Sequence, residues 1–422
     1  MRFSRAIIGL VVLAGTAFAQ ETTSSDREMI QKLVQQVQEL QQRVKDLESE
    51  RSALVTKPES AIASTPAEAS EQASSTQLPH DVPELHEFHG IRWRGFGEVD
   101  YKVLDQRKAE LGTFGFVPGS AGNFYTGDFD LLLTATITDK ASVLSEIVFG
   151  EEDAQTYGVD LERVLLKYDY NDHLKTSFGR YHTGIGYYNT AFHSGSWLQT
   201  TADRPLIMEY AVDGGVLPTQ AVGFSITGYI PSGKLGLNYV AEYGSSDTIR
   251  PHLTRSGVAV DENNGNHVNV GLFLRPDALR GLQIGGSYYH DMISDFARGL
   301  SVRLGQTIVN THVVYVGHGV EALNEGFLIR HSYIDRPIIF NMPAFYTQLS
   351  KRFGRVRPFI RYQYINANQN SIFDDVLLRH GPSFGGRFDF NDNIAFKTQF
   401  DHTIRKREPD LNGIHLELAF TF

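Results

Sequence analysis

Basic side chains recur at every second position in several stretches of this chain. In GRVRPFIRYQYI, Arg355, Arg357, Arg361 and Gln363 oppose Val356, Ile360, Tyr362 and Tyr364 across a two-residue period. In GIRWRGFGEVDYKV, Arg92 and Arg94 share a face with Glu98, Asp100 and Lys102, while Trp93, Val99, Tyr101 and Val103 share the other. In NIAFKTQFDH, Lys397, Gln399 and Asp401 oppose Ile394, Phe396 and Phe400. Arg180 and Arg387 add two more basic positions of this kind. Fixed guanidinium and ammonium groups set into a wall attract anions, or pair with facing carboxylates to shape a local field. That chemistry is selection rather than reaction.

The alternation needs β-strands, because only a two-residue period sends neighbouring side chains to opposite faces. A face with three arginines in one strand is costly in a dry core and natural along a water-filled lumen. The chain ends on the same pattern. In NGIHLELAFTF, Ile414, Leu416, Leu418, Phe420 and Phe422 oppose His415, Glu417, Ala419 and Thr421. Short Gly-, Asp-, Asn- or Pro-bearing connections occur at TDKA, YND, PSGK, RPDALRG, GHG, FGR and NDN. Longer polar or Gly-rich stretches alternate with them, near 104–123, 151–157, 182–220, 244–265, 291–307, 332–341, 367–376 and 403–411. This regular alternation predicts an all-β fold, a transmembrane antiparallel barrel of about sixteen strands with periplasmic turns and extracellular loops. The terminal Phe422 is expected to close the barrel against the first strand, with its ring in the interfacial girdle.

The longest of these stretches, HTGIGYYNTAFHSGSWLQTTADRPLIMEYAVDGGVLPTQ, is too long for an idle connection. Gly184, Gly186 and Gly195 would permit tight backbone packing, and Tyr187, Tyr188, His193, Trp197 and Arg204 could form an aromatic and polar lining. The expectation is a loop folded into the lumen that narrows it. The alternative is an extracellular loop packed on its neighbours or on another subunit.

Ahead of the barrel the chain has three textures. Residues 1–19 read as a secretory signal peptide: Arg2 and Arg5, the apolar run Ala6 to Ala14, and Ala17-Phe18-Ala19 before Gln20. Residues 26–54 place Ile30, Val37 and Val44 at heptad position a and Leu33, Leu40, Leu47 and Leu54 at d, a short coiled coil expected in the periplasm. Residues 55–88, rich in Ala, Ser, Pro and Glu, read as a flexible linker, and 89–422 as the barrel. No cysteine is present, which excludes disulfides and thiolate chemistry. The net charge of -10 argues against nucleic acid as a partner.

Motifs for bond-making chemistry do not survive inspection. Gly228-Tyr-Ile-Pro-Ser-Gly233-Lys234 imitates a phosphate-binding loop, but Leu235 replaces the hydroxyl residue and the stretch reads as a turn. His86-Glu87-Phe88-His89 lacks the spacing of a zinc protease, and the 15 histidines offer no pair with ligand spacing. There is no Gly-x-Ser-x-Gly elbow. No catalytic residue, cofactor or metal site is expected.

The layout of signal, coiled coil, tether and barrel, the strand IRWRGFGEVDY and the segment LLKYDYNDHLKTSFGRYHTGIGYYN together resemble the phosphate-selective porin O and P family of bacterial outer membranes. That resemblance implies a homotrimeric sixteen-strand pore whose third loop folds inward, with basic lumen residues that attract phosphate-like anions. Here Arg92, Arg94, Lys167, Arg361, Arg387 and Lys397 mingle with Glu98, Asp100, Asp130, Glu146, Asp401 and Glu417, and no uninterrupted basic ladder is visible. The expectation is therefore a porin for small hydrophilic solutes or ions, anions such as phosphate among them. Its partners would be outer-membrane lipids, the barrel assembly machinery and other copies of the chain, with peptidoglycan as a further candidate. Two other readings are an enzyme built on a barrel rim and an envelope anchor that grips the cell wall through its coiled coil.

Overall fold

A computed structural model describes residues 86–88, 90–106, 122–153, 156–209, 215–246, 265–294, 302–374 and 376–422. The expected signal peptide, coiled coil and most of the linker lie outside the described residues. A short strand β1 (His86–Phe88), within the stretch read as linker, pairs with the edge of β2 (Ile91–Leu104). Fifteen further strands follow. They are β3 (Asn123–Thr136), β4 (Ala141–Asp153), β5 (Thr156–Asn171), β6 (Leu174–His182), β7 (Gln220–Ile230), β8 (Leu237–Ser246), β9 (His267–Leu274) and β10 (Leu282–Ser294). The rest are β11 (Arg303–Gly317), β12 (Val320–Tyr333), β13 (Ile339–Lys351), β14 (Val356–Asn366), β15 (Leu378–Asp389), β16 (Ile394–Arg405) and β17 (Leu411–Thr421).

Each strand from β2 to β17 pairs antiparallel with the next, and β17 pairs with β2, so sixteen strands close into a barrel with no free edge. Closure runs through the last residue. Phe422 N donates to Gly95 O at 3.0 Å, and Gly95 N donates to Phe422 O at 2.8 Å. Glycine is needed there because a Cβ on Gly95 would lie 2.2 Å from the Phe422 ring, which covers the bare backbone. Trp93 and Phe129 flank that ring at 5.8 and 5.5 Å between centroids.

Short connections 137–140, 172–173, 231–236, 275–281, 318–319, 352–355 and 390–393 all fall on one rim, the rim where β2 begins and β17 ends. The GHG turn has only two residues between the paired Gly317 and Val320. His318 and Gly319 both have positive φ, at 53 and 72°, as a two-residue hairpin turn of matching twist demands. Three connections on the other rim are shorter than the sequence suggests: 154–155, 295–302 and 334–338. There the ladder continues past the point where alternation fades, for example through Asp291 opposite Gln306. Above a membrane both faces of a strand meet water, so polar residues no longer signal a loop.

The outer face is apolar, with Val99, Phe178, Leu272, Val313, Leu349, Ile360, Phe384 and Leu418 exposed. The inner face carries the polar partners, including Asp100, Arg361, Gln363, Lys397 and Glu417, all buried. This is the two-solvent pattern of a barrel in lipid. Among the described residues no helix is long and apolar enough to cross a membrane.

Candidate functional site

Strand register lines the inward residues up in rows around the wall. In one row Arg357 on β14 lies opposite Arg387 on β15, Arg387 opposite Lys397 on β16, Lys397 opposite Glu417 on β17, and Glu417 opposite Asp100 on β2. Three cations therefore stand side by side, followed by two carboxylates. No uninterrupted basic run is visible in the sequence because these residues come from separate strands and only pairing joins them. At the junction Lys397 Nζ bonds Glu417 Oε1 at 2.7 Å. Arg387 bonds Asp389 at 2.7 Å, and Arg357 lies 3.7 Å from Glu321.

The described parts of the long loop, 183–209 and 215–219, fold into the barrel, and residues 196–203 meet this row. Arg387 donates from Nη1 to the carbonyls of Trp197 and Gln199 at 2.5 and 2.9 Å, and its guanidinium sits 4.5 Å above the Trp197 ring. Lys397 donates to Ser196 O at 2.5 Å. Arg357 reaches Thr200 Oγ1 at 3.3 Å, and Arg361 reaches Asp203 O at 2.9 Å. Gln399 Oε1 accepts from the backbone N–H of Ala202 and Asp203, both at 3.1 Å. A segment without regular structure has many backbone groups to satisfy once buried, and the charged wall satisfies them.

Asp203 is the loop's own anchor. Its carboxylate lies 3.3 Å from Lys102 Nζ and 2.9 Å from His415 Nδ1, while His415 Nε2 meets Asp100 at 3.0 Å. Burial alone would raise the Asp203 pKa, but Lys102 and His415 beside it hold the carboxyl well below its usual range.

The near end of the loop is held by two carboxylates. A short helix α1 (Tyr187–Ala191) starts at Gly186 without a side-chain cap of its own. Glu325 of β12 accepts instead from the N–H groups of Tyr187 and Tyr188, at 2.6 and 2.9 Å. Glu242 of β8 accepts from Gly184 N at 3.0 Å. Gly186 has φ 81°, and a Cβ there would stand 2.7 Å from the Glu325 carboxylate. Between these anchors Ile185, Tyr188, Phe192 and Met208 join inward side chains such as Tyr289, Phe327 and Tyr346 in one apolar cluster. The lumen thus holds a packed apolar body at loop level.

Of the basic positions singled out in the sequence, Arg357, Arg361, Arg387 and Lys397 converge on the loop. Arg94 is buried on the inner side of β2, and Arg92 is half-buried nearer the strand's start. Arg180 lies opposite Val164, an outward residue, and binds Asp160 at 3.2 Å and Gln220. Of the aromatic and polar loop positions, Tyr188, His193 and Trp197 are buried, Tyr187 packs against the apolar cluster, and Arg204 donates to His193 O at 2.9 Å. Sequence reasoning missed Glu325, Asp203 and His415. Each is an ordinary polar residue until the fold brings its partner from more than a hundred positions away.

No protein-family model matches the chain. No curated protein matches it either. Solved structures do share its fold. An anion-selective porin from Comamonas acidovorans aligns with TM-score 0.52 at 9% identity, covering 79% of this chain and 99% of that one. The outer membrane channel DcaP of Acinetobacter baumannii aligns with TM-score 0.53 at 9% identity, covering 79% and 97%. The trimer form of OmpT, an outer membrane protein of Vibrio cholerae, aligns with TM-score 0.51 at 10% identity, covering 79% and 99%. At these identities the likeness is one of fold: a closed sixteen-strand outer-membrane-type barrel.

Proposed function

We propose that the protein is an outer-membrane porin, a passive diffusion channel for small hydrophilic solutes. The observation that carries this reading is the loop fixed across a charged lumen by the row Arg357, Arg387 and Lys397. A constriction inside a wide barrel sets a size limit, and its side chains set charge preference. Solved structures of the same fold include proteins described as an anion-selective porin and an outer membrane channel, which supports the reading.

The basic row faces the loop backbone, with Glu417, Asp389 and Glu321 beside it. It acts as a clamp more than as an open ladder for anions, so strong phosphate selectivity is not part of this proposal. An enzyme is disfavoured on similar grounds. His415 bridges Asp100 and Asp203 in the loop anchor, with Tyr125 Oη 3.3 Å from its Nε2, a set that ties the loop to the wall. The fold also fits a homotrimer, as for the trimeric neighbour of the same fold, and a periplasmic coiled coil ahead of the barrel would reinforce it.

Refolded protein in a planar bilayer tests the proposal. Stable stepwise conductance with a small reversal potential under a salt gradient is expected. A strongly anion-selective potential would restore the phosphate reading, and no conductance from a demonstrably folded barrel would reject the channel.

A further inference from the structure

We propose that Glu162, His182 and His193 form a binding site for a divalent transition metal of the zinc class, which fastens the inserted loop to the barrel wall. Glu162 Oε2 lies 3.8 Å from His182 Nε2 and 3.7 Å from His193 Nε2, and all three atoms fall within 4.8 Å of one another. The two imidazoles stack with centroids 3.6 Å apart. The site is enclosed: side-chain exposures are 12% for Glu162, 5% for His182 and 3% for His193.

Two details point to a cation here. Glu162 Oε2 and His182 Nε2 are buried and make no hydrogen bond. Such atoms are costly to leave unsatisfied. The tautomer of His193 is also fixed. Asn189 Nδ2 donates to the carbonyls of Thr183 and Thr219 at 2.9 and 3.0 Å, which turns Asn189 Oδ1 toward His193 Nδ1 at 2.8 Å. A carboxamide oxygen only accepts, so Nδ1 carries the proton and Nε2 presents a lone pair to the Glu162 carboxylate.

The buried Glu162 carboxylate and the unbonded His182 Nε2 suit a positive centre placed among the three side chains. Stacked rings cannot both become imidazolium cheaply, whereas one divalent ion accepts both neutral rings and the carboxylate. Two histidines and a glutamate are a zinc donor set, with bonds of about 2.0–2.2 Å. Ligand atoms would then stand about 3.3 Å apart, against 3.7 and 3.8 Å from Glu162 to the two rings here, and the rings, now stacked at 3.6 Å, would swing apart so that both lone pairs meet one ion. The hydrogen bond from Nδ1 to Asn189 supplies the outer-shell contact such ligands usually make.

The backbone prepares the set. Glu162 is the extra residue of a bulge in β5, where Arg163 pairs with Glu146 and Leu161 with Ile147. Bulges re-aim side chains. His182 ends β6, and His193 sits just beyond α1. Nearby Glu146 lies 3.7 Å from His182 Nε2 but is bound to Arg163 at 2.5 Å, which leaves it as a neighbour rather than a ligand.

Zn2+ and Co2+ titrations of untagged, full-length, refolded protein in detergent test the site without relying on conductance, so they stand apart from the porin proposal. One saturable ion per chain is expected, with Co2+ giving the visible absorption of a tetrahedral site. Glu162→Gln and His193→Ala should each weaken binding at least tenfold. His182→Asn serves as a third variant should either fail to give the heat-modifiable folded form. Absence of saturable binding, or equal affinity in the folded variants, would overturn the proposal.

Discussion

Arg387 covers the Trp197 ring at 4.5 Å while donating to the carbonyls of Trp197 and Gln199, so one wall side chain grips a loop aromatic and its backbone together. A desolvated cation–π contact contributes about 2 kcal/mol. Each hydrogen bond to a charged group adds about 1.5–3 kcal/mol. Arg387→Met should therefore release this part of the loop while the barrel persists. Single-channel traces of the variant should show larger or noisier current than wild type, and protease should cut within 196–204 where the parent resists. Unchanged traces and unchanged protection would mean that the loop is held elsewhere.

Asp203 predicts a pH window. Its carboxyl is held below the ordinary carboxylate range of about 3.9, so its contribution is complete above that value and is lost as pH falls through the lowered one. Current should stay steady from pH 8 to about 5 as far as this anchor is concerned, and become unstable only below about 4. Asp203→Asn should bring the unstable behaviour to pH 7. Conductance recorded across that range in both proteins checks the sign.

Gly95 and Phe422 make a separate prediction about closure. Gly95→Val would push the Phe422 ring off the strand and forfeit aromatic contacts of about 0.5–1.5 kcal/mol. Deleting Phe422 removes those contacts and both hydrogen bonds to Gly95. The heat-induced shift between folded and unfolded mobility on a gel should occur at lower temperature for the first variant. The second should yield less folded barrel. Equal transition temperatures would show that closure does not depend on this pair.

The N-terminal segment can be separated from the channel. A chain lacking residues 21–85 retains every strand of the barrel and the folded-in loop. Its conductance steps should match those of the full chain, with any loss confined to the proposed trimer or to a proposed grip on the cell wall. Loss of conductance from a folded, shortened protein would tie residues 21–85 to the pore itself.

Period-two alternation was legible in the sequence wherever one face met lipid and the other water, as in Ile414 to Phe422 or Val356 to Tyr364. Turn chemistry made the alternating rims legible as well. Connections 154–155, 295–302 and 334–338 look longer in the sequence because alternation vanishes once both faces are wet.

By itself the sequence determined the wall: strands, their two faces, the short turns and the closing aromatic are all local patterns imposed by two solvents. Only the tertiary structure decided the site. Register placed Arg357, Arg387 and Lys397 in one row, and the closed barrel brought Glu325, Asp203 and His415 to the loop. It also set His193 against Glu162 and His182. Such contacts depend on side chains that are distant along the chain and unremarkable in type, and no periodicity records them.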